Sequence, residues 1–203
     1  MKKQMPNISN IFFKYRSYTP IPFLLLMVIF AEPGVMSMII GFAIAISGEL
    51  MRFWGVSWAG SETRTTGGVG GTYLIISGPF AFVRNPLYVG NILLYTGIGI
   101  MSWSLFPYLQ IVALLFFAVQ YHFIVLEEEK FLKEKFGETY KNYFKNVPRF
   151  ILRFTPYKDA TLEQPPYNPK AGVKSEKRTL QAFSLVSLMI VIIWIVKNYD
   201  LIR

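Results

Sequence analysis

The sequence predicts an all-α integral membrane protein, with about five transmembrane helices and a cytosolic amphipathic helix after the fourth. Two observations predict this class. First, 53% of the residues are hydrophobic and only 16% are charged, and the apolar residues fall in long runs, more apolar surface than a soluble domain of this size needs. Second, if the N-terminus is placed in the cytoplasm and five spans are counted, all 21 lysines and arginines except Lys197 and Arg203 fall on the cytoplasmic side, as the positive-inside rule requires. A third observation bears on the chemistry within that class: the chain has no cysteine and a single histidine, which excludes disulfides, thiolate chemistry and a multi-histidine metal site. The formal charge of +9 then reads as attraction to anionic headgroups, not to nucleic acid.

The N-terminal segment, residues 1–19, is polar and basic, with Lys2, Lys3, Lys14 and Arg16. A first apolar run covers about residues 20–31. It is short for a span, and the long charged segment before it and the missing small-residue cleavage pattern after it argue against a signal peptide. Glu32-Pro33-Gly34 is a turn signal. A second run, about 35–53, completes a helical hairpin and ends on Glu49 and Arg52, a pair at helical spacing. Residues 55–80 read as a loop with weak strand character. Its glycine-rich part, Thr65 to Thr72, lacks the Lys-Ser/Thr of a phosphate loop and reads as a flexible linker.

A third span, about 88–106, carries Gly90, Gly97 and Gly99 on a side smooth enough for close helix packing. A fourth, about 108–126, runs without a breaker into Glu127-Glu128-Glu129. From there Leu132, Phe136, Tyr140, Tyr143 and Val147 recur at intervals of four and three, an amphipathic helix with Gly137 as its weak point and Pro148 as its end. Residues 155–178 are proline-rich and charged. A fifth span covers about 180–196.

The polar groups at membrane edges lie together at the cytoplasmic ends: Arg84, Asn85, His122, Glu127 to Glu129, Arg149 and Arg153. Ionisable groups in such places are functional candidates. Three adjacent carboxylates beside anionic headgroups call for a bound cation or a cationic ligand group.

Two stretches carry a family resemblance. Gly78-Pro79-Phe80 followed by Val83-Arg84-Asn85-Pro86-Leu87-Tyr88-Val89-Gly90 resembles the "GPY…RHPxYxG" signature of isoprenylcysteine carboxyl methyltransferases and phospholipid N-methyltransferases. Glu128-Glu129, Leu132, Phe136-Gly137, Tyr140 and Tyr143 match that group's "EExxLxxxFGxxYxxY" at every stated position. The resemblance covers about residues 70–150, the expected catalytic core. It implies an S-adenosylmethionine-dependent membrane methyltransferase acting on a lipid-tailed acceptor. Carried over by position, Arg84, Asn85, Pro86, Tyr88 and Gly90 would line one side of the cofactor, and Glu128 and Glu129, with His122 nearby, the other. Asn85 stands where the family has histidine; it can exchange hydrogen bonds but cannot act as a base near neutral pH.

The chemistry is compatible with that implication. The cofactor's ammonium suits a carboxylate pair. Its adenine needs an aromatic slot, which Tyr88, Tyr121 and Phe123 could supply. Arg149 or Arg153 could hold an anionic acceptor, and these two with Asn85 are the candidate catalytic residues. The expected location is a prokaryotic cytoplasmic membrane, with N-terminus and active site cytoplasmic; no protein partner is signalled. Alternatives are a phospholipid or small-amine N-methyltransferase, a sterol-type NADPH reductase sharing the short "HPxYxG" motif, or an inactive membrane protein.

Overall fold

The computed structural model describes residues 8–60 and 73–199. The glycine-rich stretch Thr65 to Thr72 lies outside the described residues. Six α-helices follow in order: α1 (Ile8–Tyr15), α2 (Pro20–Ile29), α3 (Val35–Ala59), α4 (Pro86–Ser102), α5 (Tyr108–Asn146) and α6 (Pro169–Lys197), with a short 3₁₀ turn at Gly78–Ala81 before α4. No strand occurs among the described residues; residues 73–77, expected to be weakly strand-like, are irregular. α3, α5 and α6 are long and apolar enough to cross a membrane, whereas α2 and α4 are shorter apolar helices.

α3 and α4 form the centre of the bundle and pack backbone to backbone. A Cβ at Gly48 would stand 2.5 Å from the carbonyl oxygen of Gly90, and one at Gly97 would stand 2.3 Å from the amide nitrogen of Ala45. Gly41 faces Gly97 while Gly48 faces Gly90, so the helices run antiparallel with small residues lining their seam, as expected where lipid gives no hydrophobic drive and close contact must supply attraction. Met27, Ala45, Leu94, Ile98, Leu109, Phe183 and Ile190 fill the apolar core around them.

α5 is two helical stretches joined across a kink at Gly137; the first, from Tyr108 to Phe136, is about 43 Å at 1.5 Å per residue, already longer than a bilayer's hydrocarbon thickness. The expected fourth span therefore runs into the start of the expected amphipathic helix without a loop, and the kink divides the amphipathic part. The only non-helical residue of α5 is Gly137, at φ 54° and ψ −127°, a conformation that favours glycine. The apolar stripe beyond Glu129 is covered by the chain itself: Tyr140, Tyr143 and Val147 pack with Leu74 and Ile76, with Leu132, Phe136, Tyr157 and Leu162 at the margin. Gln164 fastens that cover, accepting from the Ile76 amide at 2.9 Å and donating to the Leu74 carbonyl at 2.9 Å.

α6 starts at Pro169, eleven residues before the expected span. The Asn168 side chain caps it, accepting from the Ala171 amide at 3.0 Å. The helix is held at one end by the Asn168 amide donating to the Ser57 carbonyl at 2.8 Å, and at the other by Lys197 Nζ donating to the Ala31 carbonyl at 2.9 Å.

Candidate functional site

The two sequence motifs meet. Arg84, just before α4, reaches Glu129 on α5 with Nη2 to Oε1 at 2.9 Å. Arg149, just after α5, binds the same carboxylate twice, Nη2 to Oε2 at 2.6 Å and Nε to Oε1 at 3.1 Å. Glu129 is buried, and its two arginine partners neutralise it; a carboxylate so placed is tolerable only with such partners. Arg84 also caps the C-terminal end of α5, donating to the Phe144 carbonyl at 2.5 Å and the Val147 carbonyl at 2.7 Å. Its guanidinium lies 4.0 Å from the centroid of the Phe144 ring. This arginine therefore fixes the distance between the two motifs.

Glu128 differs from its neighbour. It is half-buried, and Tyr88 on α4 donates to its Oε1 at 2.7 Å. Among the described residues no arginine or lysine pairs with it. Burial pushes its carboxyl up to about 7, against the lowering effects of the Tyr88 hydrogen bond and of Arg16; the neighbouring Glu129 adds to the rise. A carboxyl in that condition gains most from an added cation.

Asn85 is the residue before the buried Pro86 that opens α4, and its Nδ2 donates to the Arg149 carbonyl at 3.1 Å. It thereby ties the start of α4 to the segment after α5. Arg84, Asn85, Tyr88, Glu128, Glu129 and Arg149 are thus brought together, with Pro86 setting the turn.

Three expected site residues are placed elsewhere. Gly90 faces α3, where a Cβ would meet the Gly48 carbonyl at 2.7 Å and Arg52 Cγ at 2.6 Å, so its small size serves helix packing. His122 is exposed, with the ring of Phe123 beside it. Arg153 folds back on its own chain, donating to the Asn146 carbonyl at 2.8 Å and to Thr155 Oγ1 at 3.2 Å. The expected adenine slot is closed as well. Tyr88 and Tyr121 pack on each other with centroids 4.8 Å apart, and Phe123 packs on Phe12 of α1 at 5.9 Å. Aromatic faces are instead offered by a groove of about 490 Å³ beside the Gly78–Ala81 turn, lined by Trp54, Trp58, Phe82 and Tyr157 together with Lys158 and Asp159.

Sequence reasoning missed a second polar cluster in the bundle interior. Arg52, which the sequence places at helical spacing from Glu49, binds Glu176 of α6 at 2.6 Å, donates to Asn91 Oδ1 of α4, and lies 3.6 Å from Glu49. Glu176 is fully buried. In the sequence Glu176 stands among Lys174, Ser175, Lys177 and Arg178, ahead of the expected fifth span, so it reads as part of a solvated charged segment and nothing local signals its burial. Among the described residues no group of three or more histidine, aspartate and glutamate side chains is placed to hold a metal ion.

The chain resembles two curated proteins over part of their length. It is 36% identical over 85 residues to the cobalt-zinc-cadmium resistance protein CzcN of Cupriavidus metallidurans, covering 42% of this chain and 38% of that one. It is 32% identical over 84 residues to the nickel-cobalt-cadmium resistance protein NccN of Alcaligenes xylosoxydans xylosoxydans, covering 41% and 38%. The matched part thus spans under two fifths of either relative's own length. No solved structure matches. The phospholipid methyltransferase family matches residues 36–139, just over half of the chain, from the start of α3 to just past the Gly137 break, and so covers the first motif and the second as far as Gly137, with Tyr140, Tyr143 and Arg149 beyond it. With that match joined to an all-helical apolar fold and to two motifs that meet in space, the chain belongs to the phospholipid methyltransferase family of membrane proteins.

Proposed function

We propose that the protein is an S-adenosylmethionine-dependent methyltransferase working at the cytosolic membrane face on a lipid-tailed acceptor, in the manner of the isoprenylcysteine carboxyl methyltransferases. The observation that carries the reading is the pairing of Glu128 with Tyr88, in the half-buried space next to the Arg84–Glu129–Arg149 bridge. A carboxyl with one tyrosine partner and a raised proton affinity fits the cofactor's ammonium group. The cofactor supplies a methyl group on a sulfonium. The chain's own residues bind, orient and exclude water. Tyr88 fixes the rotamer of Glu128, Arg84 and Asn85 hold the two motifs together, and Arg149 presents positive charge toward an anionic acceptor.

The family name favours a second acceptor, a phospholipid amine. The relatives' names concern metal resistance, and a comparable role here would run through a methylated membrane component. The first test is ligand-dependent melting of the detergent-solubilised protein. S-adenosylmethionine and its demethylated product should raise the melting temperature, as any native-state ligand must, and NADPH should not. Stabilisation by NADPH alone would put a reductase first. Transfer of label from methyl-labelled cofactor, offered in parallel to a prenylated cysteine and to an aminophospholipid, then separates the two acceptors.

A further inference from the structure

We propose that residues 150–154 form a lip seated in the interfacial layer of the bilayer, at the end of the bundle that carries Glu128. Three apolar side chains of this short loop point outward: Ile151 is 78% exposed, Leu152 48% and Phe154 fully exposed. The loop is not loose. Arg84 donates its amide to the Pro148 carbonyl at 2.8 Å, Arg153 to Phe82 at 3.0 Å and Tyr157 to Ala81 at 2.9 Å. The loop's backbone is thus laid along residues 81–84, and the Arg153 side chain is turned back onto Asn146 and Thr155. Its apolar residues are held outward by these bonds.

The occupant follows from position and charge. Residues 81–84 come directly before α4, so the lip stands at the level where apolar helices leave the bilayer. Trp54, near the end of α3, packs on Phe82 at 6.1 Å and is itself 40% exposed, as aromatic residues at a membrane interface are. From Pro148 to Lys158 the chain carries Arg149, Arg153 and Lys158 and no acidic residue, which complements anionic headgroups. An exposed apolar patch rimmed by cations and continuous with lipid-facing helices fits the leaflet itself. Because Arg149 begins the same segment, seating the lip sets the height of the Arg84–Glu129–Arg149 bridge against the headgroups. The inference needs only membrane integration, so it stands or falls apart from the proposed activity.

The chain's lack of cysteine makes the test direct. Single cysteines at Ile151, Leu152 and Phe154, and at exposed Glu163 as control, are labelled with an environment-sensitive fluorophore. The full-length protein is reconstituted in phosphatidylcholine/phosphatidylglycerol vesicles, each variant first checked for an unchanged melting temperature. The expected result is blue-shifted emission at Phe154 and at one or both of Ile151 and Leu152. Quenching there by lipids brominated near the glycerol end of the acyl chain should be about twofold or more above that at Glu163, with little quenching by aqueous iodide. Iodide quenching at all three lip positions equal to that at Glu163 would overturn the proposal. So would protection that depends on protein concentration in detergent and is absent at high lipid-to-protein ratio, which would assign the patch to a second copy of the chain.

Discussion

Replacing Glu129 by glutamine should unfold the site before it affects the ligand, while the same change at Glu128 should do the reverse. Glu129 is buried and shared by Arg84 and Arg149, whose side chains are 8% and 25% exposed. Breaking a buried pair costs about 3–5 kcal/mol, because a charge is left without compensation. Solvent at Arg149 screens part of this, and glutamine keeps one acceptor oxygen, so about 3 kcal/mol is the reasonable expectation. For a chain of this size that lowers the melting temperature by roughly 6–12 °C. Glu128 has one tyrosine donor and no cationic partner among the described residues. Glutamine can still accept from Tyr88 and has no charge to desolvate, so Glu128→Gln should melt no lower than the parent near neutral pH. Its loss should appear in cofactor binding, where a missing charged hydrogen bond is worth about 1.5–3 kcal/mol, roughly ten- to a hundredfold in Kd. Thermal melting in detergent and titration of S-adenosylmethionine into each variant measure both quantities. A Glu129→Gln protein that melts within about 2 °C of the parent would refute the reasoning, since it would mean that the double bridge contributes nothing.

Four further outcomes follow. Because the Glu128 carboxyl is raised to about 7, its contribution to folding is present at acid pH and lost as pH rises through about 7, while affinity for a cationic ligand rises over the same range; Glu128→Gln should flatten that affinity profile measured by calorimetry from pH 6 to 8. Gly97→Val would place side-chain atoms on the backbone of Ala45 and Gly41, so it should yield protein that elutes as aggregate in size-exclusion chromatography. Arg52→Met removes the cation bound to Glu176 and should cost about 3–5 kcal/mol, while the Arg52→Met, Glu176→Leu double variant should melt higher than Arg52→Met alone. If the N-terminus is cytoplasmic, a cysteine at Tyr108, which is 75% exposed, should label from outside intact cells and one at exposed Glu163 should not; the opposite pattern would reverse the topology.

Features that rest on local pattern were legible in the sequence. The apolar runs marked α2 to α6 but not α1, which lies in the segment read as polar and basic, nor the last turns of α3, read as loop; Pro148 marked the end of α5 and Gly137 the break within it. The pairing of motif halves was legible because each half carried its own signature. Partner choice was not legible. Whether a carboxylate in a run of three meets arginine, tyrosine or water depends on which residues the fold brings from 20 to 45 positions away, as with Arg149 and Arg84 at Glu129. The same limit hid Glu176, whose partner Arg52 lies 124 positions earlier. Gly90 was misplaced for a different reason. A glycine beside a motif reads equally as room for a ligand and as room for a helix, and only the position of Gly48 decides.

The contrast between Glu128 and Glu129 bears on why the family pattern keeps two adjacent carboxylates. Adjacent residues on a helix point about 100° apart, so a pair of carboxylates at consecutive positions cannot both face one ligand squarely. Here one turns inward to Arg84 and Arg149 and the other toward Tyr88. The inward carboxylate binds the segments before α4 and after α5 into one body, with Asn85 adding its bond to the Arg149 carbonyl. The other is then presented from a rigid support with a tyrosine donor and, among the described residues, no arginine or lysine in an ion pair with it, which leaves it able to take up a cation. On this account histidine is not needed at position 85 for the structural part of the work. Asn85→His should keep the melting temperature wherever the imidazole N–H can replace the amide as donor to Arg149, and Asn85→Leu should lower it by about 1 kcal/mol of stability, the worth of one neutral hydrogen bond. A larger loss in Asn85→His than in Asn85→Leu would mean that position 85 does more than tie the two segments together.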